Sequence, residues 1–282
     1  APALLKQQEA LMLHQLQQNK RALHALALSA IFALSPLAVV AEDAIKKGYE
    51  IAKASDISDN GFGDSTASAK MILTNKAGQS TTREMEFRTL ERTSDKVGDK
   101  SVSIFSTPAD IRGTAVLSHA KITGNDKQWI YLPAAKRVKR ISSSNKSGPF
   151  VGSEFSYEDI TAQEFGKFTY KWIKTDACGS AKCEVIERIP TYKNSGYSRQ
   201  LVWLNAKTKQ SERIHFFDRA GNHVKTLTWA GYKKYKGFWR WNKMSMINHR
   251  NGKSTELIFS NWKFGTGLRD RDFKSSALEN LK

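Results

Sequence analysis

The chain has 282 residues and a formal charge of +18, and its length suits one domain of moderate size or two small ones. In a cytosolic protein such a basic excess would point to nucleic acid. The N-terminal segment argues against that partner, because it reads as an export signal.

Lys20 and Arg21 precede an almost charge-free apolar run, residues 22–40, which ends in Val39-Val40-Ala41 and meets the acidic pair Glu42-Asp43. A basic start, an apolar centre and small residues at the −3 and −1 positions describe a secretory signal peptide cleaved after Ala41. A transmembrane anchor is the alternative, and Pro36 with the small-residue end favours cleavage. Met12 suits a translation start, which would leave residues 1–11 as upstream sequence. No cysteine follows the cleavage point, so no lipid anchor is expected. Residues 42–282 are expected to form a single soluble domain in the periplasm. Residues 1–41 carry three bases (Lys6, Lys20, Arg21) and one acid (Glu9), so the remainder carries +16. An exported protein of that charge meets anionic lipid headgroups, lipopolysaccharide phosphates or acidic protein faces rather than nucleic acid.

Residues 42–57 place Ile45, Tyr49 and Ala52 between polar residues, an amphipathic helix that "SDNGFGDS" breaks. Beyond it the apolar period is two. Met71 and Leu73 share one strand face, as do Met85 and Phe87 in "REMEFRTLER", with Glu84, Glu86 and Arg88 opposite. "TAVLSHAKI", "KQWIYLP", "KFTYKWI", "CEVIERI", "RQLVWL", "SERIHFF", "HVKTLTW", "WRWNKMSMIN" and "STELIFSNWKF" read likewise as strands. Between them "NKAG", "GND", "DRAGN" and "RNGK" supply Gly, Asn and Asp where hairpins need positive φ. No long helical pattern alternates with the strands, which argues against a parallel α/β sheet. The expected fold is mainly β: one large curved antiparallel sheet or unclosed barrel of about 10–11 strands with a short helical lid. A thin cover over such a sheet leaves an apolar cavity.

Residues 137–160, "RVKRISSSNKSGPFVGSEFSYEDI", join strand to lid. Arg137 and Lys139 share one face of a basic strand, and the serine-rich stretch 142–147 and Gly148-Pro149 turn the chain. Ser156 with Asp159 is a capping-box start for a helix over 156–165. Phe150, Val151, Phe155 and Tyr157 give this lid an apolar underside. The stretch is no phosphate loop, because no glycine precedes Lys146 at Walker spacing.

Cys178 and Cys183 flank a Gly-Ser tip in "DACGSAKCEV". An oxidising compartment favours a disulfide across a hairpin, worth roughly 2 kcal/mol for so small a loop. A zinc pair would need two more ligands, and redox couples usually have two intervening residues.

Neither "GFGDST" nor "GTGLRD" completes a dinucleotide fingerprint, and no G-x-S-x-G or H-E-x-x-H motif or clustered metal ligands occur. His119, His215, His223 and His249 are scattered along the chain. A Ser–His–Asp triad built from distant residues stays open.

The block "QWIYLPAAKRVKRISSSNKSGPFVGSEFSYEDI", with "DRAGNHVKTL" and the final "DRDF", resembles the outer-membrane lipoprotein-sorting-protein-like family of the LolA/LolB superfamily. The likeness runs from about "ASAKMIL" to the C-terminus. It implies an unclosed antiparallel barrel, a helical lid, a cavity for acyl chains, an association with RND-type (MmpL-like) exporters, and neither catalytic residues nor a cofactor. The expected function is a periplasmic carrier or chaperone for a lipid or lipoprotein acyl chain. A lipid-sensing regulatory module of the same fold and a lipid hydrolase are the alternatives.

Candidate cavity residues at inward-type positions are Met71, Leu73, Met85, Phe87, Leu117, Ile130, Leu132, Trp203, Phe216, Met244 and Met246. Phe150 and Phe155 would close over them from the lid. The bland reading makes the same residues a closed core, whereas recurring methionine suits a surface that adapts to varied chains. For an anionic membrane surface the candidates are Lys136, Arg137, Lys139, Arg140 and Lys146, with a second basic cluster in "KKYKGFWRWNK" (233–243).

Overall fold

The computed structural model describes residues 36–92, 94 and 96–281. Most of the expected signal peptide, residues 1–35, lies outside them. A helix, α1 (Pro36–Asp59), starts ahead of the expected one and runs through the expected cleavage position. No described helix is long and apolar enough to cross a membrane. Residues 44–282 form one compact unit.

Strand chemistry dominates that unit. Its first half holds β1 (Asp64–Thr74), β2 (Ser80–Leu90), β3 (Lys100–Thr107), β4 (Ala115–His119), β5 (Lys127–Leu132) and β6 (Arg137–Ile141). A lid segment with a single α-helical turn, α2 (Tyr157–Ile160), follows. Then come β7 (Phe168–Cys178), β8 (Ala181–Pro190), β9 (Arg199–Asn205), β10 (Ser211–Phe217) and β11 (His223–Ala230). A small hairpin, β12 (Lys233–Tyr235) and β13 (Phe238–Arg240), leads to β14 (Lys243–Asn248) and β15 (Ser254–Phe264). Thirteen strands form one antiparallel sheet in the order β6-β5-β4-β3-β2-β1-β15-β14-β11-β10-β9-β8-β7, which does not close. The sheet exceeds the expected ten or eleven strands. In β3, Val102–Phe105 are all buried, so the strand shows no clean alternation, and "WRWNKMSMIN" divides between β13 and β14.

The sheet curls. In a flat sheet β5 and β8, ten places apart, would be separated by roughly 48 Å. Both ends instead reach α2. Gln128 Nε2 on β5 donates to the Tyr157 carbonyl at 2.9 Å. From the β8–β9 loop the Tyr192 and Ser195 hydroxyls donate to the Glu158 carboxylate at 2.8 and 2.5 Å, and the Gly196 N–H at 2.9 Å. Residues 146–167 therefore fill the gap between the two ends of the sheet. Lys167, 2% exposed, completes the seam with its ammonium 2.7 Å from Asp126, beside β5.

The expected capping box is present: Asp159 N–H donates to Ser156 Oγ at 3.2 Å and Ser156 N–H to Asp159 Oδ2 at 2.7 Å. The helix ends after one turn, short of the expected 156–165. Gln163 Nε2 donates to the carbonyls of Glu158 and Thr161 at 2.9 and 3.0 Å, in place of the backbone donors that a longer helix would supply. The chain then leaves in extended form towards Lys167.

Most of the core lies on the inner face, under α2 and the lid phenylalanines. On the outer face Phe273 and Leu278, from C-terminal 3-10 turns, cover Val102, Ile104, Ala115 and Leu117. Lys167→Ala should lower stability by about 3–5 kcal/mol in denaturant titration, because it strands a buried Asp126 carboxylate. Lys174→Ala, which breaks an exposed pair with Asp176, should change it by less than about 1 kcal/mol.

Candidate functional site

A cavity of about 740 Å³ opens between the inner face of the sheet, the end of α1 and the lid, within the roughly 300–1,000 Å³ typical of ligand pockets. Its space comes from small inward residues. Ser65 on β1, Thr89 on β2 and Ser101 on β3, neighbours across the three strands, line it beside Phe87. Phe87, Trp229, Trp241, Met244, Leu257, Phe259 and Trp262 supply apolar walls, with Ile160 and Phe165 from the lid. Trp262 reaches the inner face through a bulge. The β1–β15 register shifts at Asn261, whose φ is +54°, so residues 257, 259, 262 and 264 all face inward. Phe259, Trp262 and Phe264 consequently stack, with ring centroids 5.5 and 6.2 Å apart.

One end of the cavity is acidic. Asp56, Asp59, Glu91, Asp99 and Glu164 line it beside Arg92 and Arg240. The five carboxylates come from four segments, Asp56 and Asp59 both from α1. Glu91 accepts the N–H groups of Gly61 and Gly63 at 2.6 Å each, which ties the end of α1 to β2. Asp59 pairs with Arg240, whose guanidinium lies over the rings of Phe62, Phe264 and Trp262. Asp99 accepts the Arg92 N–H at 2.8 Å, and its own N–H donates to Glu164 at 2.7 Å. Gly98 permits that approach, since a Cβ there would lie 2.5 Å from Glu164 Oε1 and 2.8 Å from the Ala120 carbonyl. Burial, reinforced by Glu164, Glu91 and Asp59, pushes the Asp99 carboxyl up to about 7, against the backbone bond from Arg92. Burial also raises Glu164, against the Asp99 N–H and the charge of Lys167.

The thirteen candidate cavity residues separate into groups. Phe87 and Met244 line the cavity. Met71, Met85, Phe150, Phe155, Phe216 and Met246 are almost fully buried in the core, Met85 also lining a second cavity of about 990 Å³ beside Ala69 and Phe105, while Leu73 and Ile130 pack at the core margin. Leu132, half-buried on β5, belongs to neither group. Leu117 and Trp203 are corrections, because both face outward. All of Ala115–Ser118 and Val202–Leu204 are buried; these strands are covered on both faces and no polar side marks the outside. Over Leu117 lie the C-terminal turns, and beside Trp203 the Cys178–Cys183 hairpin. Those two cysteines are bonded, as expected for the hairpin tip.

Lys136, Arg137, Lys139 and Arg140 are exposed at the β6 edge. Lys146 is a correction: only 6% exposed, it donates to Asn125 Oδ1 at 2.8 Å and lies 3.8 Å from the Tyr192 ring centroid. Burial lowers its ammonium to about 8. The serine-rich joint is thereby anchored at Lys146. In the second basic cluster Arg240 is likewise buried. Nor are the histidines scattered in space. His215, His223 and His249 stack on neighbouring strands and turns with centroids 4.3 and 4.6 Å apart. No group of three or more His, Cys, Asp or Glu among the described residues could hold a metal ion.

An open antiparallel sheet wrapped around a lidded apolar cavity defines a LolA-like domain. The family model of an uncharacterised protein family, DUF1329-like, matches residues 98–280, and the chain belongs to that family. A solved domain of Vibrio parahaemolyticus, named for outer membrane lipoprotein sorting, is 47% identical, with a TM-score of 0.81 over 83% of this chain and 99% of that one. A DUF1329 family protein of Desulfovibrio piger is 31% identical, with a TM-score of 0.78 over the same shares. A LolA superfamily protein of Nitrosomonas europaea, 17% identical, shares the fold at a TM-score of 0.62 over 83% of this chain and 97% of its own. None of the curated proteins compared with the chain matches it.

Asp99 holds its proton more tightly folded than unfolded. The stability it contributes is complete below the ordinary carboxyl value of 3.8 and is lost as pH rises to about 7. Asp99→Asn, which keeps an acceptor for the Arg92 N–H, should therefore raise the melting temperature at pH 8 and flatten its decline between pH 4 and 8. Thermal melts across that range check this.

Proposed function

We propose that this domain is a periplasmic carrier that holds the acyl chain of a lipid or lipoprotein in the inner cavity and works with an RND-type exporter in envelope lipid traffic. The observation that carries the reading is the cavity. Aromatic and methionine side chains line it, serines and a threonine on β1–β3 leave it unfilled, and a lid bonded to both ends of the sheet covers it. Burying an acyl chain there would gain about 0.8 kcal/mol per methylene. The naming of the Vibrio parahaemolyticus domain supports the lipoprotein part of the reading. The exporter and the periplasmic location rest on the family likeness and the export signal.

The cavity reading separates two inner positions, Phe87 on β2 and Met71 on β1. Phe87→Asp should fold, losing about 1–2 kcal/mol, and should abolish uptake of a fluorescent C12–C18 fatty acid. Met71→Asp, placing a charge in sealed core, should cost more than about 4 kcal/mol. Equal loss of stability in both, with no uptake by the parent, would sink the carrier reading.

We further propose that Lys136, Arg137, Lys139 and Arg140 at the open edge contact anionic membrane. Phosphatidylglycerol liposomes should bind the protein more strongly than phosphatidylcholine ones, and salt should weaken the difference. Replacing all four by Gln should cost about 1 kcal/mol for each charge in a liposome sedimentation assay.

A further inference from the structure

The cavity has a polar end that an acyl chain leaves unexplained. Among the described residues five carboxylates from four segments meet there, against two guanidinium groups. Arg240 is committed to Asp59, and Arg92 lies 3.3 Å from Asp270. No described cation forms an ion pair with Asp99 or Glu164: Lys100, next to Asp99, pairs with Asp270, and Lys167, three residues from Glu164, pairs with Asp126. A net negative end inside a protein of strongly positive charge runs against the rest of its surface.

A second observation concerns the same space. Among the described residues three buried side-chain polar atoms lack a hydrogen-bond partner, and two of them, Thr161 Oγ1 and Trp241 Nε1, belong to residues that line this cavity. Thr161 is only 5% exposed. Buried donors are rarely left unsatisfied, and the indole N–H can only donate, so it calls for an acceptor.

We infer that the cavity takes an acyl amphiphile whose head carries an ammonium group. The carboxylate end would hold the ammonium, the Thr161 hydroxyl and Trp241 N–H would donate to the ester or amide carbonyl at the top of the chain, and the aromatic walls would hold the chain itself. The inference rests on the acyl-carrier reading and names its ligand class. Ammonium–aromatic contacts with the neighbouring rings would add to the attraction.

The raised carboxyl values of Asp99 and Glu164 fit this assignment, since a bound cation would supply the missing charge partner. Asp99 faces Glu164 from the lid, Glu91 and Arg92 from the end of β2, and Asp59 from α1. A cation binds the ionised forms, so its affinity should fall as pH drops below about 7.

Monomeric lauroylcholine, dodecyl sulfate and dodecyl maltoside, titrated against the tryptophan emission of the whole protein, test the assignment. At pH 8 lauroylcholine should bind at least about tenfold more tightly than dodecyl sulfate, although the protein's overall charge favours the anion. That ratio should shrink at pH 5.5. The double variant Asp99→Asn/Glu164→Gln keeps both backbone hydrogen bonds and should bring lauroylcholine to the level of dodecyl maltoside. Should the variant fail to fold, the pH dependence of the parent protein decides. Dodecyl sulfate binding as tightly as lauroylcholine, or a ratio unaffected by pH and by the variant, overturns the inference. Binding of dodecyl maltoside with no advantage for the ammonium head overturns only the head assignment; failure of all three to bind overturns the carrier reading as well.

Discussion

The fold depends on holding the two ends of a very wide sheet around one interior. Thirteen strands cannot bury one face by lying flat, and too little helix is present to cover them. The solution is a short polar seam. A one-turn helix offers Glu158 to the β8–β9 loop and the Tyr157 carbonyl to β5, and a buried ammonium from Lys167 meets Asp126. Asp159 adds the Tyr197 hydroxyl at 2.9 Å and Lys225 at 3.4 Å. Removing such groups from water is costly, and their mutual pairing offsets that cost only in one geometry. Specific geometry is what a closing piece needs, because an apolar seam of the same size could slide.

A sheet so closed has an inside, and its contents follow from side-chain size. Towards β8–β10 the inner positions carry Ile186, Val202, Leu204, Ile214 and Phe216, and the space is filled. At one end of β1–β3 they carry Ser65, Thr89 and Ser101, and the space remains. Phe150 and Phe155, both fully buried, fasten the lid to the core, Phe150 with its ring 5.9 Å from that of Phe105 on β3. The lid residues that face the hollow are Ile160 and the polar stretch that follows. Val151 tightens this fastening: a β-branched residue at φ +46°, it has its carbonyl held by Arg83, and such a conformation persists only where neighbours fix it.

Much of this was legible in the residues. Period-two patterning and Gly/Asn turns gave the antiparallel sheet, the Ser156–Asp159 spacing gave the start of the lid helix, and the short Cys–Cys hairpin was read correctly. What escaped has physical reasons. Inward and outward cannot be told apart where a strand is covered on both faces, which is how Leu117 and Trp203 were assigned inward. Trp262 hid behind an extra residue that breaks alternation. The acidic end of the cavity draws on α1, β2, the following loop and the lid, so no local pattern announces it. Lys146 looked like one more base in a basic run; its burial comes from Asn125 and Tyr192, which lie far from it or on another loop.

The bulge at Asn261 also bears on how this strand can change length. In a regular strand, deleting one residue turns every later side chain to the opposite face. Here the extra residue already absorbs one unit of register, so loss of Asn261 would leave residues 262 and 264 facing inward and the aromatic stack intact. Deletion of Ala67 on β1, which stands opposite residues 261 and 262, would instead add a second unit of mismatch and turn the inner residues on one side of it, such as Ser65 or Ala69, to the opposite face. Among homologues, length variation in this part of the sheet should therefore collect at a single position of a single strand.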